Sequence, residues 1–61
     1  MIIYNEAERI AQEMGLESPR KWFAWCKANP KKRHELGLPT NPHKAYPNDW
    51  KDWSTFLRKV N

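Results

Sequence analysis

Eight aromatic side chains, four of them tryptophans, are crowded into 61 residues, and they decide what such a chain can fold into. A domain this short buries only about 60% of the surface its unfolded chain exposes, so its core must be built from a few large groups. Each of Trp22, Trp25, Trp50, Trp53, Tyr4, Tyr46, Phe23 and Phe56 removes roughly 150–250 Å² from water when buried. Their spacing shows which elements carry them. Trp22, Phe23, Trp25 and Cys26 crowd one side of a helix. Trp50, Trp53, Leu57 and Val60 recur at i, i+3, i+7 and i+10, with Phe56 beside them. Nothing alternates with period two over a useful length, so no strand is predicted.

Cap and breaker residues set the boundaries. Asn5 is the expected N-cap of a first helix, with Glu8 placed as in a capping box and Gly15 at the C-terminal end. Ala7, Ile10, Ala11 and Met14 form its apolar face. Ser18-Pro19 opens a second helix running to about Asn29, where Pro30 ends or restarts it. Pro30 to Leu36 has room for one short helical turn. Pro39, Pro42 and Pro47 then punctuate a segment expected to be an ordered loop, extended over 38–42, with Leu36, Leu38 and Tyr46 packing back onto the helices. Asn48 is the expected cap of a third helix that presents Lys51, Thr55 and Arg58 to solvent. The prediction is a single all-α domain over 1–61: three short helices, an ordered Pro-rich loop between the second and third, and a core of Trp22, Cys26, Trp50, Trp53 and Leu57.

Charge is distributed unevenly. Residues 1–19 hold Glu6, Glu8, Glu13 and Glu17 against Arg9 alone. Residues 20–47 hold Arg20, Lys21, Lys27, Lys31, Lys32, Arg33 and Lys44 against Glu35 alone. On the second helix Arg20, Ala24 and Lys27 lie opposite the aromatics, a stripe that Lys31 continues if the helix extends. A basic stripe with a small residue inside it suits a polyanion, although charge at this level also serves solubility.

Other chemistries find little material here. Asp49 and Asp52 fall in the first turn of the third helix, and Glu6 and Glu8 in that of the first, where the helix dipole already accounts for them. With no Ser/His/Asp ordering, glycine-rich phosphate cradle or inward carboxylate pair, the chain is not expected to be an enzyme or to need a cofactor. Cys26, His34 and His43 follow no zinc-ligand rhythm, so no metal is expected. His34 is expected to be exposed and His43 to brace the turn after Pro42. No apolar run is long enough for a bilayer, the N-terminus does not look like a signal peptide, and a lone thiol suits a reducing compartment. The expected location is the cytoplasm, with no membrane partner.

Leu36-Gly37-Leu38-Pro39, Asn41-Pro42, Tyr46, Trp50, Trp53, Phe56 and Leu57 follow the spacing L-G-[IL]-P-x-x-P-x-x-x-Y-x-x-x-W-x-x-W-x-x-[WF]-L. This pattern resembles the phage-integrase repeat unit, a short module of phage-type integrases and related phage proteins. Glu6-Ala7, Gly15-Leu16 and Ser18-Pro19-Arg20-Lys21-Trp22 extend the resemblance over nearly the whole chain. It implies an all-helical module of mobile-element origin acting in a bacterial host cytoplasm, and it imports no catalytic site. Here Arg58-Lys59-Val60-Asn61 follow the final leucine, where the family pattern often continues with glycines.

Two functions are therefore expected. The first is nucleic-acid binding, duplex DNA favoured, through Arg20, Lys21, Lys27, Lys31, Lys32, Arg33 and Lys44, with Arg20, Lys27 and Arg33 foremost. The second is a protein-interaction module that modulates a host enzyme or a recombinase. It calls for an exposed apolar patch, for which Trp25, Leu38 and Tyr46 are the candidates. The other tryptophans, at helical spacing, are expected in the core rather than as platforms for unpaired bases, and Trp25 sits at the edge of its face. Self-association remains open.

Overall fold

The computed structural model describes residues 1–58. Five helices follow one another: α1 (Tyr4–Met14), α2 (Pro19–Ala28), α3 (Pro30–Leu36), α4 (Pro42–Ala45) and α5 (Trp53–Leu57). The all-α expectation holds, with two more helices than the three expected and no strand among the described residues. Val60, placed by its spacing on the last helix, lies outside the described residues.

α1 starts two residues earlier than Asn5 predicts. Its N-cap is Ile3, which makes no side-chain cap bond, and Asn5 is already helical. Tertiary contacts explain the shift. The Tyr4 ring is buried against Tyr46 and Phe56, with centroids 5.5 and 6.0 Å away. Its hydroxyl donates to Glu8 at 2.9 Å, so Glu8 accepts from Tyr4 instead of closing a capping box. Gly15 ends the helix with a left-handed φ of 66°, as expected. Ala7 and Ala11 are fully buried, and such small residues let α5 approach closely. Gln12 Nε2 then reaches the Thr55 carbonyl at 3.0 Å.

A tight turn redirects the chain into α2. Ser18 N–H donates to the Leu16 carbonyl at 2.8 Å across Glu17, whose φ of 66° is unusual for a residue with a Cβ. Ser18 caps α2 through its hydroxyl, which accepts from Lys21 N–H at 3.3 Å, and Pro19 fills the first turn. Asn29 closes the helix twice over, since its backbone N–H (2.8 Å) and its side-chain amide (3.0 Å) both donate to the Trp25 carbonyl. It also serves as the N-cap of α3, so one residue separates the two basic helices.

α3 is nearly two turns, longer than the single turn expected. It ends in a Schellman arrangement: Gly37 N–H donates to the His34 carbonyl at 3.0 Å and Leu38 N–H to the Arg33 carbonyl at 3.1 Å. A Cβ on Gly37 would sit 3.0 Å from Ile2 Cγ2, because the N-terminal segment crosses here. Ile2 N–H donates to the Gly37 carbonyl at 3.2 Å, and the Tyr46 hydroxyl donates to the Ile2 carbonyl at 2.6 Å.

The Pro-rich segment is ordered but not wholly extended. Pro42 starts the single turn α4, whose amides from Lys44 and Ala45 bond back to the Asn41 carbonyl. Asn48 does not cap a helix. Asp49 and Trp50 N–H groups both donate to the Tyr46 carbonyl, which holds residues 47–49 in a turn. The helix waits for Asp52, whose carboxylate accepts from Thr55 N–H at 2.6 Å.

The core comprises Tyr4, Ala7, Ala11, Trp22, Cys26, Leu38, Tyr46, Phe56 and Leu57. Trp22 and Phe56 sit at its centre in an edge-to-face pair, centroids 5.4 Å apart. The Trp22 indole N–H is satisfied by the Thr40 carbonyl at 3.0 Å, which pins the Pro-rich segment over the core. Trp50 and Trp53, expected inside, are half-buried and pack on the outside of Phe56.

Candidate nucleic-acid interface

α2 has two unequal faces because its cap and its 3.6-residue period orient every side chain. Trp22 and Cys26 point into the core, so Arg20, Ala24 and Lys27 point out, and all three are exposed. Lys21 is exposed on one flank and Phe23 on the other. The immediate restart at Pro30 then brings in Lys31 and Lys32, also exposed. An open concavity of about 550 Å³ lies at the junction, lined by Ala28, Asn29, Pro30, Lys31, Lys32 and Glu35. No acidic residue occurs between Ser18 and His34. Among the described residues the ion pair is Arg9–Glu13, exposed on α1 and distant in sequence from these cations. Five exposed sequence-predicted cations thus share two consecutive helices. The sixth exposed one, Lys44, comes from α4.

Arg33 is employed differently. Its guanidinium donates to the Leu38 carbonyl at 2.6 Å and is half-buried, stapling the α3 terminus that its own backbone carbonyl also holds. It is a structural cation first, despite its place among the foremost expected contacts. It also borders a second cleft of about 220 Å³ with Met1, His34, Gly37, Leu38 and Pro39.

The three residues expected to form an apolar partner patch do not come together at the surface. Leu38 is 2% exposed and Tyr46 7%, since both were needed to close a very small core. Trp25 is half-buried, its ring 6.2 Å from that of Trp22. Cys26 lies inside, where burial pushes its thiol pKa up against a smaller opposing pull from the Arg33 charge. His34 is exposed as expected. His43 packs against Trp50 and Trp53, centroids 6.0 and 5.7 Å away, and its buried Nδ1 has no hydrogen-bond partner among the described residues. Among the described residues no three His, Cys, Asp or Glu side chains converge as metal ligands. No helix there is long and apolar enough to cross a membrane.

Sequence reasoning missed Phe23. It was counted with the crowded aromatic side of α2, yet it is 38% exposed and leans edge-to-face on Trp53 at 5.4 Å. A finer angular reading would have found it, because Arg20 and Lys27 are its i−3 and i+4 neighbours and share its side of the helix. The concavity at the helix junction had no sequence signal beyond Asn29-Pro30. Protein-family models, curated proteins and solved structures offer no match to this chain, so its resemblance to the phage-integrase repeat unit rests on the motif residues themselves.

Proposed function

We propose that this chain is a small nucleic-acid-binding module, of phage or mobile-element type, that grips the backbone of duplex DNA through α2 and the start of α3. One observation carries the reading: Arg20, Lys21, Lys27, Lys31 and Lys32 are all exposed on two consecutive helices without a nearby acidic residue on α2. Each is long enough to reach a phosphate while its stem lies along the helix. Contacts of this kind position a protein on DNA without reading sequence. Ala24 leaves the α2 stripe low enough to approach a groove. Regulatory or recombination-accessory action would follow from where the module is recruited.

The alternative, a protein-interaction module, draws less support, because Leu38 and Tyr46 belong to the core. The test of the leading reading is fluorescence anisotropy of a labelled duplex at about 50 and 200 mM salt. About five phosphate contacts should give a log–log salt slope near −4 to −5, at about −0.9 per contact. Reversal of Lys27, Lys31 and Lys32 to Glu should flatten that slope and weaken binding while the helical circular dichroism stays unchanged. Undiminished affinity in that variant overturns the proposal. Arg33 is left out of the variant because its loss would disturb the α3 terminus.

A further inference from the structure

A surface that only neutralised phosphates would have no use for an exposed aromatic ring. Yet Phe23 is the one exposed aromatic among the described residues, and it stands on the same side of α2 as Arg20 and Lys27. Phe23 is not enclosed as its helix neighbour Trp22 is. Instead the ring rests on Trp53, at 5.4 Å and an interplanar angle of 64°. Trp53 is itself wedged against Trp22, Trp50 and Phe56, so Phe23 has a stiff backing. The ring therefore keeps a face toward solvent at little cost in side-chain freedom.

We propose that Phe23 is a base-stacking position, and that the α2 face takes single-stranded DNA as well as duplex. This rests on the nucleic-acid reading above. Bases inside a duplex are covered on both faces by their neighbours, so only an unpaired base can lie on Phe23. Every base has a π-face, which makes such stacking indifferent to sequence. Arg20 and Lys27 bracket the ring along the helix, and the backbone of a strand stacked there runs between them. Ala24, exposed next to Phe23, leaves room for the sugar.

The experiment compares one labelled mixed-sequence strand of about 16 nucleotides, alone and annealed to its complement. Phe23→Ala should weaken single-strand binding about tenfold, within the range one stacked base contributes, and leave duplex binding within about twofold. Phe23→Tyr, which keeps a flat ring, should retain the wild-type preference. Phe23→Leu keeps apolar bulk on Trp53 and should behave like the alanine variant, which guards against a folding defect in the latter. Equal losses on both probes, or no loss on the single strand, overturn the stacking role while the duplex reading stands. Duplex and single-strand binding that both survive reversal of Arg20 and Lys27 to Glu overturn both.

Discussion

Gly37 and Gly15 both hold left-handed backbone, with φ of 76° and 66°, but only one of them is also hemmed in by a neighbour. A Cβ at position 15 would meet nothing within 4 Å, so Gly15→Ala should cost only the conformational strain, about 1–2 kcal/mol. At position 37 the same Cβ would press on Ile2 Cγ2 at 3.0 Å and on the Ile2 nitrogen at 3.4 Å. Gly37→Ala should therefore cost clearly more than Gly15→Ala in urea denaturation. Equal costs would show that the N-terminal segment yields freely. The buried tyrosines make a pH prediction at the same scale. Burial first, then the hydrogen bond to Glu8 and the Glu8 charge, push the Tyr4 pKa to about 12. Burial alone raises that of Tyr46. Both favour the neutral phenol in the folded state, so their contribution to stability is complete below pH about 10 and is lost as pH rises toward 12. Stability followed by circular dichroism should fall across that window, and Tyr4→Phe should flatten the fall.

Helix boundaries obey caps where the cap meets no competitor. Ser18-Pro19 starts α2 as its chemistry dictates, because nothing else bonds Lys21 N–H. Asn48 loses to Asp52 because the Tyr46 carbonyl takes the amides of Asp49 and Trp50 for a turn. Asp52→Ala should consequently lower the melting temperature by fraying α5, with Phe56 and Leu57 the residues disturbed. The Asp52 carboxyl is held below the ordinary aspartate range by the Thr55 N–H bond, with a smaller contribution from the Lys51 charge. A depressed folded pKa gives stability that is present above about pH 3.9 and lost as pH falls through the folded value. The difference between wild type and Asp52→Ala should thus be constant from neutral pH down to about 5 and shrink below about 4. A difference that ignored acid would refute the charged cap. At the α1–α2 turn, Glu17 carries left-handed backbone without being glycine. Glu17→Gly should leave stability unchanged or slightly raised, since relief of strain offsets the added freedom of the unfolded chain.

At the scale of the molecule, everything passes through Trp22. It touches Trp25, Trp53 and Phe56, and its indole holds the Thr40 carbonyl. Trp22→Ala should cost about 3–5 kcal/mol, close to the whole stability of a domain this small, and the chain should be largely unfolded. Trp22→Phe keeps part of the packing but removes the donor to the carbonyl of the exposed Thr40, a loss of about 0.5–1.5 kcal/mol from that bond. Cys26 reports on the same transition. Its thiol is buried and its pKa raised, so a bulky thiol reagent should label it only when the core opens. Labelling should accelerate in Trp22→Phe in proportion to the stability lost. Fast labelling of the native protein would mean that α2 opens locally while the rest of the core holds.

What the sequence determined by itself is what depends on near neighbours: helix as the only element among the described residues, the start of α2 at Ser18-Pro19, the glycine end of α1, and the opposition of Arg20, Ala24 and Lys27 to Trp22 and Cys26. Those follow from caps, φ preferences and a 3.6-residue period, all of which act within a few residues. The tertiary structure decided what depends on competition for a core too small to hold every large side chain. Trp50 and Trp53 went to its rim while Tyr4 went inside, and Leu38 and Tyr46, which the sequence both packed back onto the helices and offered for a partner patch, went to the core. Arg33 was drawn from the cationic surface to the Leu38 carbonyl, and α1 began early because Tyr4 had a pocket to fill. Phe23 was given Trp53 as its backing although the two lie far apart in the sequence, so no local pattern could have paired them.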